Sequence, residues 1–214
     1  MPLFYLHIQK PLQGNFQIKK INIAFVFQVN CPGCFVYGIP MMNELFTKYE
    51  NEIGFIGVST AFEDFELNTE GNTQLLLQEN KLTGETKKYY DSIDEEIYPQ
   101  KILFPVVFDA LKPTKDFLTN ENVQAICNKN PNFALLSAEE KLTMLNSVKE
   151  YYGRLPFIAE TFTLNQLPGT PSFIIFDNEY NLLQSFFGHE YQKVIEIFLK
   201  HYGTLKLQNE PIIF

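Results

Sequence analysis

The sequence predicts an α/β fold in which a central mixed sheet is flanked by helices. Short apolar runs rich in β-branched and aromatic residues alternate with segments of helical period, and no internal repeat interrupts that alternation. The chain has 214 residues, of which 45% are hydrophobic, so it can bury one sizeable core. We therefore expect a single domain over residues 1–214.

The first predicted unit is a strand, a helix and a second strand. The run "INIAFVFQV" (21–29) is nearly free of polar residues, as in a central strand that is covered on both faces. The segment "MMNELFTKYE" then has apolar residues at helical spacing, and "IGFIGVST" (53–60) is typical of a second buried strand. Because a helix connects them, the two strands should be parallel.

The middle of the chain contains a predicted short helix, an acidic loop and a third strand. "NTQLLLQENK" favours the helix, and "DSIDEEIY" (91–98) is interpreted as a solvated loop rather than a binding surface. "ILFPVVFD" (102–109) predicts the strand. Pro105 within it indicates an edge position, or a strand that begins at that residue.

A helical insertion is predicted at about residues 112–154, before the last two strands. Ser137 and Glu140 have the spacing of a capping box, which predicts a helix that ends at about Tyr151. The segment is too short to build a core of its own. We interpret it as extra material that packs on the sheet.

The last third of the chain predicts a helix, a hairpin and a closing helix. "LPFIAETFTL" is interpreted as helical, and two apolar runs (172–177 and 182–187) flank the polar turn "NEYN". These two runs predict an antiparallel hairpin. A helix over about 190–201 closes the pattern, and His189 before it is interpreted as a surface or helix-entry residue.

The motif "CPGC" is the feature most suggestive of chemistry. Cys31 is expected at the end of a strand and at the start of a helix, where free N–H groups and the helix dipole stabilise a thiolate. Cys31 is therefore predicted to be a nucleophile and Cys34 its resolving thiol. Pro32 suits the first helical turn, and Gly33 leaves room for another chain to approach the sulfur.

The cysteines also allow two other interpretations, metal binding and buried thiols. A structural zinc site needs four ligands, and no second Cys pair or His pair stands at ligand spacing, so no metal site is predicted. Two thiolates suffice for a soft monovalent ion, so handling of copper stays open as an alternative. Cys127 lies in the predicted insertion and is interpreted as a small buried hydrophobe.

A strand that ends in "CPGC", a helix that contains Pro40 and a downstream "GTPSFIIFD" hairpin together resemble the thioredoxin-like superfamily. The resemblance is greatest to its redoxin branch of TlpA-like thiol-disulfide oxidoreductases, and it covers residues 20–200 apart from the insertion. It implies an oxidoreductase without a cofactor. It also implies a cis peptide bond between Thr170 and Pro171, whose backbone would face the cysteines and pair with an extended substrate.

The resemblance implies a protein or small-molecule disulfide as substrate, with a reductase or a thiol pool for recycling. Heme-related thiol handling stays open as an alternative. Thiol peroxidase activity is a further alternative, although the Pro and Thr that usually precede a peroxidatic cysteine are absent from "AFVFQVNC".

The chain departs from the thioredoxin pattern near the cysteines. Asn30 stands where most of these proteins have Trp, and Pro40 comes nine residues after Cys31, one more than is common, so Gly38 is a candidate position for a bulge. The strand before the motif carries no acid. Glu63, in the loop expected after the second strand, is therefore our candidate to accept the proton of Cys34.

The net charge of -8 argues against nucleic acid as a partner, because phosphate binding requires clustered Lys and Arg. No apolar run approaches the length of a membrane span, and "MPLFYLHIQK" lacks the basic start and long apolar core of a secretory signal. We therefore expect a cytoplasmic location.

Overall fold

A six-stranded mixed sheet forms the centre of the computed structural model, which describes residues 2–188. Its strands are β1 Ile8–Gln13, β2 Ile21–Phe27, β3 Gly54–Ser59, β4 Val106–Asp109, β7 Ser172–Asp177 and β8 Leu182–Phe187. Their order across the sheet is β1-β4-β3-β2-β7-β8. The β2–β3 and β3–β4 pairs are parallel, whereas the β1–β4, β2–β7 and β7–β8 pairs are antiparallel.

Seven α-helices lie in the described part of the chain. They are α1 Ile39–Tyr49, α2 Glu70–Glu79, α3 Gly84–Asp91, α4 Thr114–Phe117, α5 Asn120–Asn128, α6 Ala138–Tyr152 and α7 Glu160–Leu164. A π-helical turn, Cys34–Gly38, precedes α1, and a short 3₁₀ turn, Phe133–Leu135, precedes α6. Two short strands, β5 Leu111–Pro113 and β6 Phe157–Ala159, pair with each other outside the main sheet.

Every residue of β2 is buried, because the strand is covered on both faces. Phe25 and Phe27 face the core that α1 completes, whereas Ala24 and Val26 face the core on the opposite side of the sheet. Phe25 stacks on Phe27 and on Phe173, with ring centroids 5.2 Å and 5.1 Å apart. The strand that leads to the cysteines is thus held by aromatic packing.

The predicted fold class is confirmed: a central mixed sheet lies between helices. The parallel β2–β3 pair and the β7–β8 hairpin occur where the sequence predicts them. Ser137 and Glu140 form the predicted capping box at the start of α6. Gly38 ends a π-helical turn, which is the bulge that its position indicates.

Strand β1 was not predicted, and it changes the position of β4. It pairs antiparallel with β4, so β4 is not at the sheet edge. The edge interpretation of Pro105 is therefore wrong, and the alternative is nearer the truth, because β4 begins at Val106, directly after the proline.

The helix predicted over "LPFIAETFTL" is wrong in its first half. Residues Phe157–Ala159 form β6, and only Glu160–Leu164 are helical, as α7. The strand exists because its residues pair antiparallel with Leu111–Pro113, for example Ile158 with Lys112, which is 46 positions earlier in the chain. No local sequence pattern contains such a contact. Helix α3 was also not predicted; after it, the acidic segment is exposed except for Tyr98.

The predicted insertion contains α4, α5 and α6. Helix α6 has no buried residue, whereas α5 buries Val123, Ile126 and Cys127. That these helices are an insertion into one domain stays a prediction. The predicted helix 190–201 and His189 lie outside the described residues. Within residues 2–188, no helix is both long and apolar enough to cross a bilayer.

Candidate active site

Cys31 and Cys34 lie at the carboxyl end of β2, where the chain turns into the helix. Cys34 is fully buried and Cys31 is partly exposed. The Cys34 thiol donates a hydrogen bond of 2.8 Å to Cys31 Sγ, and the Cys34 backbone N–H donates one of 3.0 Å to the Cys31 carbonyl. The two cysteines are free thiols in contact with each other.

The surroundings move the two thiol pKa values in opposite directions. The hydrogen bond from Cys34 is the main reason that the pKa of Cys31 is lowered to about 6, with further help from the Thr170 side chain and the backbone at Gly33. Burial is the main reason that the pKa of Cys34 is raised well above its usual value, and Cys31 adds to the rise. Cys31 is thus the thiolate of the pair near neutral pH, and Cys34 holds its proton.

The Thr170–Pro171 peptide bond is cis, and it lies opposite the cysteines at the start of β7. Cys31 Sγ is 3.5 Å from the Thr170 carbonyl oxygen, to which its thiol form can donate. Pro171 approaches the π-helical turn, since a Cβ built on Gly38 would lie 3.6 Å from Pro171 Cβ. Thr170 is partly exposed, so a second chain can reach its backbone.

Pro32 and Gly33 form the helical turn between the two cysteines. Both are partly exposed, and Gly33 has ordinary helical angles of φ -63° and ψ -30°. The structure therefore brings Cys31, Pro32, Gly33 and Thr170 to one accessible edge of the sheet. That these residues contact a substrate stays a prediction.

Glu63 lies in the loop after β3, and its contacts with Gln28 and Asn68 are made by its backbone carbonyl rather than by its carboxylate. Its carbonyl oxygen accepts hydrogen bonds from Asn68 Nδ2 at 3.0 Å and from Gln28 Nε2 at 3.5 Å. The side chain is exposed, and partial burial, with a smaller effect of Asp64, raises the pKa of its carboxyl. The groups that act on the Cys34 thiol are Cys31, Gln28 and Thr170. The role of Glu63 as proton acceptor stays a prediction.

Asn30, at the position where Trp was expected from the resemblance, joins three segments. Its backbone N–H donates to Asn68 Oδ1 at 3.0 Å, its Nδ2 donates to Asp64 Oδ2 at 2.8 Å, and its Oδ1 accepts from the Glu85 N–H at 2.6 Å. A polar clamp therefore replaces an aromatic wall beside Cys31. Nothing in the local sequence indicates these partners.

Gln28 is a buried polar residue of the site that the sequence reasoning missed. It is 3% exposed, and its Oε1 accepts a hydrogen bond of 3.1 Å from the Thr170 hydroxyl. The available signal was a carboxamide near the end of the apolar run "INIAFVFQV". Cys127 is buried in α5. Among residues 2–188, no group of three or more His, Cys, Asp or Glu could hold a metal ion.

Comparison with known proteins gives structural likenesses only. Searches of protein-family models and of curated sequences found no match. The chain is similar to the crystal structure of a thiol-disulfide isomerase from Corynebacterium glutamicum, with a TM-score of 0.56 and 19% identity over 94% of each chain. It is also similar to a thioredoxin-like superfamily protein, with a TM-score of 0.52 and 19% identity over 93% of this chain and 96% of that one.

These two likenesses agree with the strand order of the sheet and with the fold predicted from the sequence. The chain has the thioredoxin-like fold, and the resemblance drawn from "CPGC" and "GTPSFIIFD" is confirmed at that level.

Proposed function

We propose that the protein is a thiol-disulfide oxidoreductase of the TlpA-like redoxin branch, in which Cys31 is the nucleophile and Cys34 the resolving thiol. One observation carries the proposal: two contacting thiols have pKa values moved in opposite directions, about 6 for Cys31 and well above the usual range for Cys34. Cys31, as a thiolate, can attack a disulfide, whereas Cys34, as a protonated thiol, stays unreactive until the first exchange is complete.

The reaction consists of two exchanges. The Cys31 thiolate attacks one sulfur of a substrate disulfide, the substrate S–S bond breaks, and the departing thiolate takes a proton from solvent. A mixed disulfide then joins the substrate to Cys31. Cys34 gives up its proton and attacks Cys31 Sγ, which forms the Cys31–Cys34 disulfide and releases the second substrate thiol. Two electrons pass from the protein to the substrate.

An external dithiol must return the two electrons and two protons. A reductase or a cellular thiol pool is the proposed source. Reduction of the substrate is the proposed direction if the protein works in the cytoplasm, as we propose from the sequence, because that compartment keeps dithiols reduced.

The proposed substrate is an extended segment that carries a disulfide. Partly exposed Thr170 can present its backbone to such a chain, and Pro32 and Gly33 leave the approach to Cys31 Sγ open. The exposed Glu63 carboxylate, with its raised pKa, is the proposed acceptor, through solvent, of the Cys34 proton. The likeness to a solved thiol-disulfide isomerase supports this class of reaction.

The decisive experiment is a trap. A Cys34→Ser variant cannot resolve its mixed disulfide, so it should retain substrates on Cys31 that are released by dithiothreitol. The matched control is Cys31→Ser, which should retain none. The wild-type protein should also accelerate the reduction of insulin by dithiothreitol. If Cys34→Ser captures no more than Cys31→Ser and insulin reduction is not accelerated, the proposal is wrong.

A further inference from the structure

Gln28 is the one carboxamide buried at the end of β2, and its position is not explained by packing. It is 3% exposed and directly follows β2, in which every residue except Asn22 is apolar. A buried carboxamide costs free energy unless its donors and acceptor are used. What Gln28 binds therefore indicates what the residue does.

Its two ends reach two loops that meet at the active site. The Oε1 atom accepts a hydrogen bond of 3.1 Å from the Thr170 hydroxyl, and the Nε2 atom donates to the Glu63 carbonyl at 3.5 Å. The first contact is to the residue before the cis proline, 142 positions away in sequence. Gln28 thus connects the cis-proline loop to the loop after β3.

Thr170 in turn lies against the redox pair. Its carbonyl oxygen is 3.5 Å from Cys31 Sγ, its hydroxyl donates to Gln28 Oε1, and its side chain lowers the pKa of both Cys31 and Cys34. A side chain that lowers a thiol pKa stabilises the thiolate, so the hydroxyl is able to donate to a charged sulfur.

The Thr170 hydroxyl has a single hydrogen and more than one acceptor. It can donate to Gln28 Oε1 or to a sulfur, but not to both at full strength. The carboxamide oxygen therefore competes with the thiolate for that hydrogen. Whichever acceptor carries more negative charge at a given step attracts it more strongly.

We propose that Gln28 is a positioning residue that acts on the redox pair through Thr170: its Oε1 holds the Thr170 hydroxyl beside the sulfurs and yields the hydroxyl hydrogen to the sulfur that becomes charged. The hydrogen stays covalently bound to Thr170 Oγ1 throughout, so only its acceptor changes. This inference rests on the proposed function, because the charge moves from Cys31 to Cys34 only if the two exchanges occur. A neutral amide and a hydroxyl would thus stabilise charge on the sulfurs, since the strand before the cysteines carries no acid.

Among residues 2–188, the acids on the segments bound by Gln28 and Asn30 include Glu63, Asp64 and Glu85, and the two thiols contact each other. Asp64 is bound by Asn30 Nδ2 at 2.8 Å. Because Gln28 holds the backbone of Glu63 rather than its carboxylate, substitutions of Gln28 leave these charges in place. The effect through Thr170 can therefore be isolated.

The test measures the rate of Cys31 alkylation by iodoacetamide against pH in the reduced protein, with Cys127→Ala as background. Gln28→Met removes the competing acceptor, so the Thr170 hydroxyl donates to the Cys31 thiolate. The midpoint of the rate profile should therefore fall by about half a pH unit. Gln28→Glu provides a stronger acceptor and a charge, so the midpoint should rise. Thr170→Val removes the hydroxyl and should also raise it.

The double variant Gln28→Met/Thr170→Val decides between this role and a structural one. If Gln28 acts through Thr170, the Met substitution should have no effect on the midpoint once the hydroxyl is gone. An equal shift in both backgrounds, or no shift from Gln28→Met, overturns the proposal. Thermal unfolding of each variant identifies loss of fold, and Gln28→Leu, which also lacks an acceptor and a charge, takes the place of Gln28→Met in the same comparison if that variant does not fold.

The alkylation profile requires no disulfide substrate, so the two proposals fail separately. If Cys34→Ser traps no substrate and the wild type does not reduce insulin, but the Thr170-dependent shifts occur, the oxidoreductase proposal is wrong and the coupling of Gln28 to the thiols stands. If the protein is active but the midpoint of its alkylation profile does not change with substitutions of Gln28, only the positioning role of Gln28 is wrong.

Discussion

Tyr98 donates a hydrogen bond of 3.0 Å from its phenol to the backbone carbonyl of Phe35, inside the π-helical turn that begins at Cys34. That carbonyl needs an outside donor. The Ile39 N–H is bound to the Cys34 carbonyl, and Pro40, the next residue, has no N–H to offer. Tyr98 therefore satisfies a backbone acceptor that the bulge and the proline leave without a helical partner.

Tyr98→Phe should destabilise the protein by about 1–3 kcal/mol, because it leaves the buried Phe35 carbonyl without a donor. Chemical denaturation gives the free energy of unfolding. Tyr90→Phe is the matched control: Tyr90 packs edge-to-face on Tyr98, with ring centroids 5.7 Å apart, but has no contact with that carbonyl. Equal losses in the two variants would show that the Tyr98 hydroxyl does not support the turn.

The parts of the fold that local patterns determine were predicted. A nearly uninterrupted apolar run predicted β2, two runs around a polar turn predicted the hairpin, and Ser137 with Glu140 predicted the start of α6. Elements defined by distant partners were missed. Strand β1 contains Pro11 and mostly exposed residues, and it exists because it pairs with β4. Strand β6 depends likewise on β5.

The candidate site likewise has a part that local sequence patterns predict and a part that depends on distant residues. The strand end, the helix start and the "CPGC" spacing are local, so Cys31 and Cys34 could be assigned roles before their geometry was known. The partners of Gln28 and Asn30 are 35 to 142 and 34 to 55 positions away, so only the folded chain shows them. No sequence pattern indicates which distant residue a buried amide will bind.

Gly84→Ala should break the clamp that Asn30 forms beside Cys31. Gly84 has φ +52°, and a Cβ there would lie 1.9 Å from Asn30 Oδ1, so the side chain must leave the Glu85 N–H. We expect faster hydrogen exchange at the Glu85 amide and a loss of about 1–3 kcal/mol in unfolding free energy. Gly71→Ala is the control, because its Cβ would meet only Thr69 Oγ1 at 3.9 Å. Unchanged exchange in Gly84→Ala would argue against the clamp.

Asp109, at the end of β4, should make stability fall as pH rises. Burial raises the pKa of its carboxyl to about 6, although Thr60 Oγ1 and the Thr161 N–H each donate a hydrogen bond of 2.8 Å. A carboxyl whose folded pKa exceeds the unfolded value contributes stability below the unfolded pKa of about 3.9, and that contribution is lost as pH rises through the folded pKa.

The pH effect of Asp109 can be isolated with Asp109→Asn. Between about pH 4.5 and about pH 7.5, the wild type should lose about 2 kcal/mol from this group, and the variant should not. Denaturation curves for both proteins at several pH values give the difference in slope, which cancels the other titrating groups. Parallel pH profiles for the two proteins would show that the Asp109 carboxyl does not titrate in this range.

Cys34→Ala should raise the pKa of Cys31, because the hydrogen bond from Cys34 is the main cause of its low value of about 6. Burial then acts with less opposition, so the midpoint of the iodoacetamide rate profile should move up by about one pH unit or more. The rate in the wild type should rise with pH through about 6, since the thiolate is the reactive form. Cys34→Ser, whose hydroxyl can still donate to the thiolate, should give a smaller shift. A midpoint that is the same in Cys34→Ala and in the wild type would mean that the helix start and Thr170, not Cys34, hold Cys31 as a thiolate.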